Sequence, residues 1–444
     1  MRDNIILCFA VSFCSGLFLC SGAVSAQDSS AYASTYMADH IGGGWSRTDA
    51  MPYAQTYGDQ ILLANGKVLA AGGAPGVGGD WVPRANSAIY DPLSGTWSMT
   101  GEMNVARQQH ATVLLRDGRV LVAGGVGSDG AFLDSAELYD PETGMWEMTA
   151  AMRIGRRLPS MVMLNDGRVL VAGGASSAKT YTNMAEIYDP ATGTWTRTGS
   201  MNTSRTNGPG MLLADGNVLV IGGGNEDGNL SSCELYDVKT RSWSMTGSLN
   251  YKHGGSRAAH LPGGKVLLVG GGGESGALSV AEVYDPATGQ WTETGSMAEV
   301  RYIFGMSALK DGRVLVAGGQ IEWSHPPLTS AEVYDPATGI WSSVGPMGSG
   351  HGGNTAILLP SGKVLVAGGE TYGTDLYNPY NIAGSAVPNV SPAVVPANAM
   401  MRDVTITGNN SHAGVTVKLK KAGVTDIMPE NVNVVNVRMC NAPL

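Results

Sequence analysis

HATVLLRDGRVLVAGG (residues 110–125) and, after a short gap, AELYDPETGMW (136–146) decide how this chain folds. Two short apolar runs flank Asp117-Gly118, an Asx-Gly pair that marks a hairpin, because its central residues tolerate positive φ. The second run ends on Gly124-Gly125. A third strand-like run carries Tyr139, a PETG turn follows, and a fourth carries Trp146. Proline presets φ in such a turn and glycine accepts the left-handed position. The unit therefore reads as four short strands joined by tight turns.

That unit recurs. Gly-Gly pairs open at Gly72, Gly124, Gly173, Gly222, Gly270, Gly318 and Gly368, in steps of 48 to 52 residues. A tyrosine column (Tyr90, Tyr139, Tyr188, Tyr236, Tyr284, Tyr334, Tyr377) and a tryptophan column (Trp45, Trp97, Trp146, Trp195, Trp243, Trp291, Trp341) keep the same register. Self-similarity at this period marks a repeat architecture. The double glycine with spaced tyrosine and tryptophan resembles the kelch repeat over Trp45 to about Pro379. The resemblance implies an all-β, seven-bladed kelch-type propeller, each repeat forming one four-stranded blade.

Trp45 has no Gly-Gly pair before it, and Gly368 has Tyr377 after it but no tryptophan strand. The chain is thus permuted by one strand, and residues near Trp45 are expected to supply the outer strand of the seventh blade, closing the ring.

Composition agrees. The 444 residues include 63 glycines without a collagen period, which means many tight turns, and 43% are hydrophobic, enough for a large core. A formal net charge of −9, with no Lys/Arg-rich run, argues against nucleic acid and anionic membranes as partners. Residues 1–26 read as a signal peptide: Arg2, then the apolar stretch Ile5 to Leu19, then Val24-Ser25-Ala26 with cleavage after Ala26. A lipoprotein anchor on Cys20 competes weakly, since Leu19 is bulky where a small residue is needed. No later stretch is apolar for long enough to span a bilayer. The expectation is an exported protein, extracellular or periplasmic, with residues 27–44 as lead-in and 45–380 as propeller. Of its cysteines, Cys233 and Cys440 remain after cleavage, and Cys233 sits in a column that elsewhere holds alanine, which suits a small buried side chain.

From 381 to 400 the chain becomes a Ser/Pro/Ala/Asn linker. Residues 401–444 then alternate apolar and polar in DVTITG (403–408), GVTVKL (414–419) and NVNVVNV (431–437). This segment resembles the first two-thirds of an IPT/TIG immunoglobulin-like domain, and the reading is a partial one, stopping at Leu444 before its remaining strands.

A repeat also separates scaffold from function. Residues present in every blade serve a need of every blade; a functional residue appears once. Seventeen positions before the Gly-Gly pairs stand Gln55, Arg107, Arg156, Arg205, His253, Arg301 and His351. They read either as a channel-mouth ring that binds an anion, or as structural partners of Glu137, Glu186, Glu234, Glu282 and Glu332. The second reading is favoured, because repeated ion pairing is commonplace.

Loops after the Gly-Gly pairs vary, with 16 residues before the tyrosine in blade one (74–89), 14 in blade six (320–333) and 7 in blade seven (370–376). The two off-column tryptophans, Trp81 and Trp323, lie in the long loops. Around a closed ring those blades flank the seventh. The expected binding site is a notch over blade seven, walled by Trp81 and Trp323 with Arg84, Glu322, His325 and Tyr372 nearby. Exposed aromatic faces beside a few polar groups suit sugar rings or peptide side chains; the competing reading makes both indoles loop cores.

Kelch propellers with an immunoglobulin-like tail also resemble the copper radical oxidases of the galactose oxidase and glyoxal oxidase type. That family needs two tyrosines and two histidines on copper, including an adjacent Tyr-His pair, and a Tyr–Cys crosslink. This chain has no Tyr-His dipeptide, and its seven histidines are scattered. The expectation is no metal, no cofactor and no catalytic residue, in a secreted binding or scaffolding protein whose partner is a glycan, a protein or a cell-surface polymer. The alternative is a carbohydrate-active enzyme, oxidase- or mutarotase-like, at the channel mouth, using His253, His351 or the arginine ring.

Overall fold

The computed structural model describes residues 43–380 apart from 77–78 and 323–324, together with the backbone of the strands Ile6–Ala10, Asp403–Thr407, Thr416–Lys420 and Asn433–Arg438. The expected cleavage point, the linker, Cys440 and Trp323 lie outside the described residues.

Gly42–Asn381 forms one compact unit. It holds seven four-stranded antiparallel sheets, each a blade of a propeller. Blade two shows the pattern, with Ala111–Leu114 innermost, then Val120–Ala123, Ala136–Asp140 and Met145–Thr149. The innermost strands of successive blades stand side by side, and that of blade seven (Asn354–Leu358) stands beside that of blade one (Asp59–Leu62). In blade seven the fourth strand is Gly44–Arg47, paired antiparallel with Thr374–Asn378 so that Trp45 faces Tyr377.

Second strands such as VLVA are apolar throughout because both of their faces are buried. Successive side chains point to opposite faces of a strand. Val120 and Val122 accordingly pack with Leu69 of blade one, while Leu121 and Ala123 pack with Val169 of blade three. Each core thus lies between two blades, including one between blades seven and one, where Leu359 and Leu365 meet Val68 and Tyr90. The Tyr and Trp columns fill these gaps, with ring centroids 4.9 to 5.2 Å apart in every blade. Cys233 is buried in one such core, and burial pushes its thiol pKa up to about 12.

The Asx-Gly hairpins differ from the two-residue turn the dipeptide suggests. Leu115 N–H donates to Arg119 O and Gly118 N–H to Leu115 O, and Gly118 takes φ 90° while Asp117 stays out of the left-handed region. This is a three-residue loop, a type I turn closed by a left-handed glycine. Asp117 serves by accepting Arg119 N–H on its side chain at 3.1 Å. At the Gly-Gly pairs both residues have positive φ in all seven blades. A Cβ on Gly124 would stand 2.4 Å from Arg156 O, so only glycine lets adjacent blades approach there.

The second unit comprises Met1–Ile41 and Ile382–Leu444. In it Asp403–Thr407 and Thr416–Lys420 form an antiparallel hairpin, and Ile6–Ala10 lies parallel to Asn433–Arg438.

Candidate functional site

The recurring Arg/His column faces the blade interiors. Arg107, Arg156, Arg205, Arg301, His253 and His351 are at most 1% exposed. Arg107 meets Glu137 at 2.8 Å, Arg156 meets Glu186 at 2.6 Å, Arg205 meets Glu234 at 2.9 Å and Arg301 meets Glu332 at 2.9 Å. Each of these arginines also donates to the carbonyl of the first glycine of its own pair, as Arg107 does to Gly124 O at 2.8 Å. The acids accept from the chain entering the blade: Glu137 takes Asn104 N–H and Val105 N–H. In blades five and seven imidazole stands where guanidinium stands elsewhere, His253 between Gly270 O and Glu282, His351 between Gly368 O and Asp375. Blade one replaces both partners, with Gln55 donating to Ala71 O and Gly72 O and Ala88 where the acid would be. A ligand on the axis meets none of these charges directly.

Two residues after that column the chain turns into the left-handed region in every blade, at Tyr57, Gln109, Leu158, Asn207, Gly255, Ile303 and Gly353. A non-glycine residue held there costs roughly 1 kcal/mol. Backbone hydrogen bonds offset it: Gln109 N–H donates to Tyr57 O, Leu158 N–H to Gln109 O, Asn207 N–H to Leu158 O, and Gly353 N–H to Ile303 O. The result is a belt around the axis, on the face that carries the variable loops.

Over this belt the loops of blades one, six and seven converge. Trp81, 37% exposed, lies ring to ring with Tyr57 at 6.1 Å. Gly76, in the same long loop, faces Thr56 Oγ1, Glu370 Cγ and the far edge of the Trp81 indole, so the loop of blade one leans against blade seven. Burial raises the pKa of Tyr57, with Tyr302 and Glu370 adding to the shift and Arg157 opposing it. Burial likewise raises Tyr302, helped by Glu322 and Glu370. Tyr57, Tyr302 and Glu370 are therefore within electrostatic reach of one another, with Trp81 against Tyr57 and Glu322 acting on Tyr302. Thr56 and Gln320 are 1% and 2% exposed, and their Oγ1 and Oε1 atoms have no hydrogen-bond partner. Arg157 borders the mouth, over the Phe132 ring at 5.4 Å and bonded to Gln109 Oε1 at 3.2 Å.

Of the residues singled out from sequence, Trp81 stands against Tyr57 and Glu322 acts electrostatically on Tyr302. His325 pairs with Glu322 at 2.7 Å, both exposed, and Arg84 pairs with Asp80 at 2.6 Å. Tyr372 is half-exposed, and its carbonyl accepts Met51 N–H. Trp323 lies outside the described residues. Tyr57, Tyr302 and Glu370 were missed, although each stands out in its own column. Position 370 and its counterparts read Ala74, Val126, Ala175, Gly224, Gly272, Gln320 and Glu370, so only blades six and seven are polar there.

A copper centre does not fit these residues. Both nitrogens of His253 and of His351 face oxygens of their own blades, His110 is buried next to Arg107 with its pKa lowered to about 3, and Cys233 belongs to a core. Among the described residues no three His, Cys, Asp or Glu side chains gather in a metal-binding group.

A family model described as the KLHDC2/KLHL20/DRC7 Kelch-repeats domain matches residues 58–261, and the Kelch motif matches 254–298 and 307–348. No curated protein sequence matches the chain. Among solved structures, a fungal alcohol oxidase of the AA5 family in complex with copper superposes with a TM-score of 0.64 at 20% identity, over 87% of this chain and 85% of that one. At that identity the likeness concerns the fold. The chain carries kelch repeats, folded as a seven-bladed β-propeller.

Proposed function

We propose that this chain is an exported recognition module that binds a glycan in the notch over blade seven. The supporting observation is the partly exposed Trp81 indole beside Tyr57, whose electrostatic neighbours are Tyr302 and Glu370. An aromatic face takes the apolar face of a pyranose, and a carboxylate with phenolic hydroxyls takes its hydroxyl groups. The buried, unpartnered oxygens of Thr56 and Gln320 fit a site that completes its hydrogen bonds with a ligand. In this reading the signal peptide delivers the protein to extracellular or periplasmic polymer. A protein ligand on the same loops is the related reading, since kelch propellers often mediate binding.

The enzyme alternative required accessible side chains from His253, His351 or the arginine column, and those are buried in pairs. A glycan-array screen with metal analysis and product detection is the test. Binding without turnover supports the proposal; product formation, or no glycan binding, contradicts it.

A further inference from the structure

Below the belt, the innermost strands line a tunnel along the axis, and one height of it is charged. Asp59 of blade one lies opposite Ala71, and Arg257 of blade five lies opposite Val269; each partner immediately precedes its Gly-Gly pair, so the two side chains stand at the same level. The other blades place Ala111, Ser160, Pro209, Gly305 and Thr355 at this position. Asp59 and Arg257 are the only acid and the only base in the column, and each occurs once.

Both are enclosed by protein, yet Arg257 is open to water, so the tunnel admits solvent to it. Arg257 Nε donates to Phe304 O at 3.2 Å, which fixes the guanidinium and leaves its terminal nitrogens for the tunnel. Asp59 Oδ1 accepts Gln60 N–H at 3.1 Å. Among the described residues no ion pair within 4.0 Å joins them. They nevertheless feel each other's charge: Arg257 opposes the rise that burial imposes on Asp59, and Asp59 opposes the fall that burial imposes on Arg257. The hydroxyl of Thr355, on the same level as Asp59, is buried without a hydrogen-bond partner, and Thr112 stands against Asp59.

Burial of the Asp59 carboxylate costs desolvation energy that a cation beside it would recover, while the guanidinium of Arg257 stands open to an anion. A molecule with both signs of charge bridges them. We propose that the tunnel between Asp59 and Arg257 is a second ligand site, for a small zwitterion of the α-amino acid class, with its ammonium on Asp59 and its carboxylate on Arg257. The unpartnered Thr355 hydroxyl takes a further hydrogen bond.

The site is separate from the notch, and its test separates the two. Calorimetric titration of the full chain with glycine, alanine and methionine, alongside acetate and ethylamine, reads the requirement for both charges. The expected result is binding of the amino acids with single-charge analogues at least about tenfold weaker. Asp59→Asn and Arg257→Gln each weaken amino-acid binding by a similar factor, whereas Trp81→Ala leaves it unchanged. Acetate binding as well as alanine, or no amino-acid binding at millimolar concentration, overturns the proposal. If either charge variant fails to fold, the analogue series on the unaltered protein still decides.

Discussion

Thr100 and Tyr139 share a hydrogen bond at 2.8 Å between their hydroxyls across the junction of blades one and two. The same Thr–Tyr contact recurs at Thr48–Tyr90, Thr149–Tyr188, Thr198–Tyr236, Thr246–Tyr284 and Thr294–Tyr334. At the junction of blades six and seven the threonine is replaced by Val344, which shares a core with Tyr377. The Tyr377 hydroxyl is buried without a partner, and burial pushes its pKa up to about 12. Val344→Thr restores the contact in a side chain of the same shape. It is expected to stabilise the domain by about 1 kcal/mol, the net value of a hydrogen bond made to a stranded group, read as a rise in denaturation midpoint.

The buried Arg–Glu pairs predict the opposite sign. Arg107→Ala leaves the Glu137 carboxylate enclosed without its cation, which costs about 3–5 kcal/mol. Blade one shows how a blade does without the pair, using Gln55 opposite Ala88. Arg107→Gln with Glu137→Ala is therefore expected to cost less than Arg107→Ala alone. Equilibrium unfolding of the three proteins checks the order.

Ring closure gives a third. Trp45 meets Tyr377 at 5.0 Å, and Arg47 donates to Gly348 O and to Ser349 Oγ, so the strand Gly44–Arg47 ties blade seven to the segment entering it. Removing residues 27–50 strips blade seven of its outer strand. The expected outcome is a large fall in melting temperature together with proteolysis within residues 354–380; an unchanged melting temperature contradicts it.

The pH dependence turns on Asp59, whose pKa burial raises to about 6 against an ordinary 3.8. Between those values the folded protein holds more protons than the unfolded chain, so stability falls as pH rises through the window. Asp59→Asn lacks this dependence. Its stability relative to the unaltered protein is expected to improve by roughly 2 kcal/mol from pH 4 to pH 7, less where tunnel water screens the charge. Paired denaturant curves at the two pH values measure the difference directly.

The fold was legible because each blade repeats the same physical problem. The tyrosine, tryptophan and double-glycine columns solve it identically, and their spacing sets blade number and strand order. Turn geometry was less legible: Asp117-Gly118 allows a two-residue turn, but the chain chooses a three-residue loop in which the aspartate caps with its side chain. The site was half-legible. Trp81 stands out by being large and off-column in a long loop. Tyr57, Tyr302 and Glu370 sit in the short turns that begin and end the inner hairpins, where ring closure brings together residues far apart in sequence. Comparing those turn columns position by position would have found them, as it would Asp59 and Arg257.

The notch is tested most directly by titrating a glycan bound by the unaltered protein into Trp81→Ala, and into Trp81→Ala with Trp323→Ala, while following melting temperature. Affinity lost by at least about tenfold with the melting temperature unchanged is the expected result. Retained affinity, or a melting temperature that drops steeply because the indole was loop core, would contradict a binding site over blade seven.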